Sequence, residues 1–373
     1  MQASLHAAEL HYGNGVVLHT ASSGSVATLK ELYLRLTDGE HSAVGEVRIN
    51  IPYLNGYAPE QVLADALATL DDVDWRQPPE RLLAAMPDWA DGVGACSPPV
   101  RCLIDCALHD LVARRAGLPL ADWLRASMDV NAIGPAATHW PSNQTLFWSP
   151  FEVFMQQAEA YVARGFCDLK VRVAAGDFAE DLRRLWALRE RFGDTIKLAA
   201  DANAQWSASE APARLDALAA FDLAYLEQPI ATERPSDMLA LAANSPMPLM
   251  LDEGLRSLQD VAEVCAQHGR LWAHLKLVKL GGIAPALAAA RQLAAAGVPY
   301  MVGQMNEGGA ATAAALHLSC AVAPHFAELY GADGLADDPV RGIAYADGQV
   351  SVPRQPGLGV DLDVSLTQPI RSF

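Results

Sequence analysis

The chain has 373 residues, 51% of them apolar and 19% charged, which suffices for one large barrel plus a smaller domain and excludes a disordered chain. A formal net charge of −17 argues against nucleic acid and anionic membrane as partners and serves mainly solubility. The six cysteines (Cys96, Cys102, Cys106, Cys167, Cys265, Cys320) show no paired metal-ligand spacing, and no basic start leads into an apolar run, so the reading is a cytoplasmic protein with reduced thiols and no signal peptide.

Residues 1 to about 125 read as a small α+β domain. Leu32, Leu34 and Leu36 alternate, Thr37-Asp-Gly-Glu makes a turn, and Val44-Gly-Glu-Val returns, which predicts a β-hairpin. Val62, Leu63, Ala66, Leu67 and Leu70 share one helix face between Pro59 and Leu70. A second helix runs from Pro99 to Arg115 and stops at Gly117 and Pro119.

From about residue 126 to 340 strand-like runs recur with helical stretches between most of them. The runs are Val130–Ala137, Asp168–Val173, Ile196–Asn203, Ala224–Glu227, Leu249–Asp252, His274–Val278, Tyr300–Gly303 and Phe326–Leu329. Two of the intervening helices are Glu180–Phe192 and Glu210–Phe221. Eight strands in this rhythm predict an α/β fold of the TIM-barrel type. The most apolar long segment, Ala284 to Val302, is broken by Arg291, Gly297 and Pro299, so it reads as a helix, a turn and a strand and not as a membrane span. Residues 341–373, rich in glycine and proline, are expected to run back to the first domain.

Three apolar stretches, Ile196–Asp201, Ala224–Glu227 and Pro248–Asp252, end in acids that lie 26 and 25 residues apart. On neighbouring parallel strands about 4.8 Å apart, three such carboxylates converge. Oxygen-only ligation suits a hard cation such as Mg2+. The other reading of these acids is as N-caps of the helices that follow. Numbered in order, the acids sit on strands 3, 4 and 5, at the C-terminal ends where barrel enzymes keep their chemistry. Strand 2 carries Lys170 and Arg172, both pointing inward by the period of two. Strand 6, opposite it in an eight-strand ring, carries Lys276. A carboxylate substrate on the metal would then lie between these cations; the alternative is that they serve only as salt-bridge partners of the acids. Lys279, at odd spacing from Lys276, reads as structural. Asn203 shares a face with Asp201 and reads as a donor behind it.

Lys170-x-Arg172, Asp201-Ala-Asn203, Leu226-Glu-Gln-Pro229, Leu251-Asp-Glu253, Lys276-x-x-Lys-x-Gly-Gly282 and Gly303-Gln-Met-Asn-Glu307 together resemble the enolase superfamily, and within it the mandelate racemase / muconate lactonizing enzyme group. Gly45-Glu46 and Ala107-Leu-His-Asp-Leu111 fit that group's capping domain. The resemblance implies a (β/α)7β barrel with an α+β capping domain and Mg2+ on Asp201, Glu227 and Asp252. It also implies abstraction of the proton next to a substrate carboxylate, giving a metal-stabilised enediolate. Glu253, Gln304 and Glu307 would support the site or meet the substrate. Two capping-domain loops, near Tyr12 and near Tyr53, would close it. Family members are often dimers or octamers, so a homo-oligomer is expected.

Strand 7 ends Gly303-Gln304-Met305 without the histidine of mandelate racemase itself, so Lys276 resembles the muconate lactonizing branch. That branch usually has lysine where this chain has Arg172, and arginine does not give up its proton in proteins. The sequence therefore points to one-base chemistry. The metal and Lys170 hold the carboxylate, Lys276 moves the α-proton, and Arg172 stabilises charge. The expected enzyme is a muconate-cycloisomerase-like isomerase or lyase; an acid-sugar or hydroxy-acid dehydratase and an amino-acid racemase or epimerase are the alternatives. His139-Trp-Pro and Phe147-Trp148, after the first barrel strand, could wall an apolar or cationic substrate or pack the capping domain on the barrel.

Overall fold

The computed structural model describes residues 1–13, 16–87, 96–128 and 135–373. The N-terminal hairpin forms as its alternation predicts. Strand Leu29–Thr37 turns at Asp38, whose Oδ1 accepts from the backbone N–H groups of Glu40 and His41, and returns antiparallel as Ser42–Arg48. Gly39, at φ 99°, supplies the left-handed residue of that turn. Strand Gln2–Leu10 pairs with the other edge of Leu29–Thr37, and strand Gln368–Ser372 pairs with Gln2–Leu10, so the last residues of the chain complete a four-stranded sheet.

The two faces of this sheet have different work. Leu32, Leu34, Leu36 and Val47 pack with helices Pro59–Asp72 and Pro98–Arg115 into one core. Gly45 lets the second helix come close, since a Cβ there would run into the backbone of Leu103 and Ala107. The opposite face carries Glu31, Tyr33, Glu46 and Arg48 and meets the barrel. Glu46 Oε2 accepts from the Ala311 N–H at 2.8 Å, and Arg48 Nη1 donates to the Asn306 carbonyl at 3.2 Å.

The barrel is a parallel sheet of eight strands in chain order: Gln144–Leu146, Asp168–Arg172, Lys197–Asp201, Leu223–Glu227, Leu249–Leu251, Leu271–Lys276, Tyr300–Gly303 and Phe326–Glu328. It nearly closes, with the Asn143 N–H donating to the Ala327 carbonyl at 2.9 Å and the Leu329 N–H to Ser142 Oγ at 2.9 Å. Among the described residues, no helix is long and apolar enough to cross a membrane.

The first strand corrects the expectation of Val130–Ala137. Residues 129–134 lie outside the described residues, 135–137 are irregular, and the first barrel position is taken by the short, polar Gln144-Thr-Leu. The segment His139–Pro141 instead pairs antiparallel with Gln349–Ser351, so Trp140 lies outside the barrel sheet. The helices that follow the acidic strand ends are capped elsewhere. Glu210 stands at the N-cap of Ala211–Leu218 and Ser257 at that of Leu258–Cys265, and a 3-10 turn begins after Arg234. The reading of Asp201, Glu227 and Asp252 as helix caps is thereby removed.

Candidate functional site

Register brings the site together. Arg172 pairs with Asp201, and Asp201 with Glu227, so three neighbouring strands end at one level with these side chains on one face. Asp252 follows Leu251, the last residue of the next strand, and Lys276 closes the strand after that. Gln228 fixes the spacing between the two acids beside it. Its Oε1 accepts from the Asp252 N–H at 2.9 Å and the Gly254 N–H at 3.1 Å, while its Nε2 donates to the Ile230 carbonyl at 2.9 Å.

Each acid is paired with at least one cation. Lys170 Nζ lies 2.7 Å from Glu227 Oε2 and 3.6 Å from Asp201 Oδ2, and pairs with Glu328 as well. Arg172 Nη1 pairs with Asp201 Oδ2. Lys276 Nζ is 2.5 Å from Asp252 Oδ2, and Lys279 Nζ is 2.6 Å from Asp252 Oδ1. His274 Nδ1 is 2.8 Å from Glu227 Oε1. All these groups are buried, so burial works against their charged forms. For Glu227 burial is the largest influence, yet Lys170 and His274 together outweigh it and hold the carboxyl well below its ordinary range; for Asp252, Lys276 and Lys279 together do the same. Burial likewise opposes the Lys276 ammonium, and Asp252, Glu227 and Glu328 outweigh it, holding its pKa above the ordinary lysine value.

Odd spacing would turn Lys279 off the inward face, and that orientation is corrected. Residues after Lys276 leave the strand and form the helical turn Leu277–Leu280, which swings Lys279 back onto Asp252. Lys170 is also not where the substrate was expected to meet it. It is 0% exposed and lies beneath the acids, spent on Glu227, Glu328 and Asp201. Two residues that sequence reasoning missed carried a readable signal. Glu328 ends the apolar run of strand 8 just as the other acids end theirs, and His274 stands two residues before Lys276 on the inward face.

Above the acids lies a narrow pocket with about 20 Å3 of water-accessible space. Arg172, Asn203, Asp252, Glu253 and Lys276 form its floor, Phe147 and Met305 its walls, and Tyr53 and Leu54 of the capping domain one side. The hairpin Leu18–Thr20 and Gly24–Val26 covers it, contributing Leu18, Thr20, Ser22, Ser23 and Val26. Trp148 holds that hairpin, its backbone N–H donating to the His19 carbonyl at 3.3 Å and its ring 5.3 Å from the His19 ring.

Asn203 and Glu253 each turn a polar atom into this region that is buried without a hydrogen-bond partner, Oδ1 and Oε2 respectively. Such atoms call for a bound group. Burial, followed by the neighbouring Asp252 charge, pushes the Glu253 carboxyl up to about 7. The other expected residues stand away from the pocket. Tyr12 Oη donates to the Gly331 carbonyl at 2.6 Å and accepts from Asn306 Nδ2 at 2.7 Å. Gln304 Nε2 donates to Thr312 Oγ1 at 2.8 Å, and Glu307 Oε2 accepts from the Met305 N–H at 2.9 Å.

The donor set fits a cation. Glu227, Asp252 and His274 offer donor atoms within 4.8 Å of one another, and Asp201 adds a carboxylate on the adjoining strand.

A family model described as enolase C-terminal domain-like matches residues 153–366. The chain is 32% identical to an L-Lys-D/L-Arg epimerase of Methylococcus capsulatus over 71% of its own length and 72% of that protein. It is 31% identical to a chloromuconate cycloisomerase of Pseudomonas putida over 70% of its own length and 69% of the relative. Among solved structures, a dipeptide epimerase of Enterococcus faecalis complexed with Mg and the dipeptide L-Leu-L-Tyr superposes with a TM-score of 0.85 at 25% identity, covering 96% of this chain and 99% of that one. With an acid-ended barrel under a capping domain and these relatives, the chain belongs to the mandelate racemase / muconate lactonizing enzyme family of the enolase superfamily and is an enzyme.

Proposed function

We propose that this enzyme is Mg2+-dependent, removes the proton next to the carboxylate of a small substrate, and completes its reaction with a single general base, as cycloisomerases and β-eliminating lyases do. One observation carries the reading: among the described residues that line the pocket, Lys276 is the one lysine, and the opposite cation is Arg172. Lys170, which would be the other candidate for proton transfer, is walled off beneath the acids.

Asp201, Glu227 and Asp252 would hold the Mg2+, which would supply positive charge to the substrate carboxylate and favour the neutral form of Lys276. Arg172 then neutralises charge that develops on the substrate, a task that suits a guanidinium held by Asp201. Lys276 takes the α-proton. The partnerless oxygens of Asn203 and Glu253 receive donors of the substrate. The covering hairpin and Phe147 exclude water from the reacting atoms.

The test follows α-proton loss by NMR in D2O with Mg2+ and a panel of N-acyl amino acids, dipeptides, muconates and sugar acids. A new product formed by ring closure or loss of water is expected, and Lys276→Ala is expected to cut exchange by about 10²–10⁴-fold. Normal exchange by Lys276→Ala would end this reading. The second reading, a racemase or epimerase, is favoured by the 32% identity to an L-Lys-D/L-Arg epimerase. It requires a proton route on the Arg172 side and would show as exchange with the substrate returned as both stereoisomers.

A further inference from the structure

We propose that His274 is a positioning residue that fixes the carboxylate of Glu227 for the cation, a role that rests on the metal reading above. His274 is 0% exposed on strand Leu271–Lys276, and the pairing of Leu251 with Ala273 makes Asp252 and His274 the next residues of adjacent strands. Its Nδ1 lies 2.8 Å from Glu227 Oε1, and a carboxylate only accepts, so Nδ1 carries the proton and donates. The other oxygen, Oε2, is held by Lys170 at 2.7 Å. Glu227 is thus gripped at both oxygens, by His274 and by Lys170, which fixes the orientation in which its carboxylate meets a cation.

The strand around His274 is shaped for the imidazole. Nε2 is buried without a partner, and a Cβ on Gly303 of the neighbouring strand would run into it. A glycine on strand 7 therefore makes the room that keeps the ring turned toward Glu227. A histidine serving only to fill space would not need its one donated bond to fall on Glu227.

The experiment is Mg2+ binding measured by calorimetry on the whole protein and on His274→Leu, His274→Asn and Gly303→Ala, each checked for folding by circular dichroism without Mg2+. An asparagine amide reaches the Nδ1 position and can donate the same bond; leucine cannot. His274→Leu is expected to weaken Mg2+ binding by about 10–100-fold. His274→Asn is expected to stay close to wild type, and Gly303→Ala, which keeps the imidazole but displaces it, to weaken binding as well. Undiminished binding by His274→Leu alongside binding by the wild type overturns this role alone. Equal losses in His274→Leu and His274→Asn also overturn it, assigning the imidazole to direct ligation or packing. No binding by the wild type overturns both this role and the metal reading beneath it.

Discussion

At the scale of single residues, the chemistry turns on what replaces what. Arg172 occupies the inward position beside Asp201 where a lysine could exchange protons, and its guanidinium is committed to Asp201. Arg172→Lys is therefore expected to lower turnover by on the order of 10²-fold, through loss of charge stabilisation, and to add stereochemical inversion of recovered substrate. Chiral chromatography after prolonged incubation checks this; unchanged turnover without inversion would remove Arg172 from the chemistry. The acids of the site were legible because a carboxylate at the end of a buried apolar run needs a reason. Glu328 closes its strand as Asp201 and Glu227 close theirs, and its partner Lys170 stands on strand 2, two places round the ring. The orientation of Lys279 was misread. A period of two describes a strand, and the strand had already ended at Lys276.

At the scale of elements, strands and helices with a clear period were readable, and those defined by their neighbours were not. Strand Tyr300–Gly303 and the hairpin strands announce themselves by apolar runs or alternation. Gln144–Leu146 is three residues long and polar, and becomes a strand because the barrel needs a partner for Asp168–Arg172. Close approach between elements is similarly invisible until they meet. Gly45 sits against the backbone of Pro98–Arg115, so Gly45→Ala is expected to cost about 1–3 kcal/mol, read as a lower urea midpoint with unchanged slope. An unchanged midpoint would mean that helix and sheet can separate without loss.

His317 ties three elements: Nε2 donates to the Leu358 carbonyl at 3.0 Å, and Nδ1 accepts from the Ala121 N–H at 3.2 Å. A proton on Nδ1 would face that N–H, and burial lowers the pKa to about 4 from an ordinary 6.5. Because the unfolded chain takes up the proton first, the contribution of His317 is full above about pH 6.5 and is lost as pH falls toward 4. The loss is on the order of 3 kcal/mol. Urea unfolding of wild type and His317→Gln between pH 7 and 5 checks it, the pH dependence being expected to shrink in the variant.

At the scale of the whole molecule, the seam between capping sheet and barrel is acidic, like the chain itself. Glu31, Glu46, Glu307 and Asp338 are buried there with Arg48 as the cation among them, and both carboxylate oxygens of Glu31 lack partners. Burial, then the charges of Glu46 and Glu307, hold the Glu31 carboxyl well above its ordinary range. Burial, then Asp338, pushes Glu46 up to about 8, and burial pushes Asp338 up to about 6. A carboxyl raised in the folded state keeps its proton after the unfolded chain has lost it. Stability from this seam is therefore full below the ordinary carboxyl value of 4.5 and falls as pH rises toward about 8. This trend opposes that of His317, so wild-type stability is expected to peak between the two. Glu31→Gln removes the member with no partner to lose. It is expected to stabilise the protein at pH 8 by on the order of 1–3 kcal/mol and to leave it nearly unchanged at pH 5. Calorimetric melting at the two pH values decides. Equal destabilisation at both would show that Glu31 is held by packing rather than strained by charge, and that capping domain and barrel meet without stored repulsion.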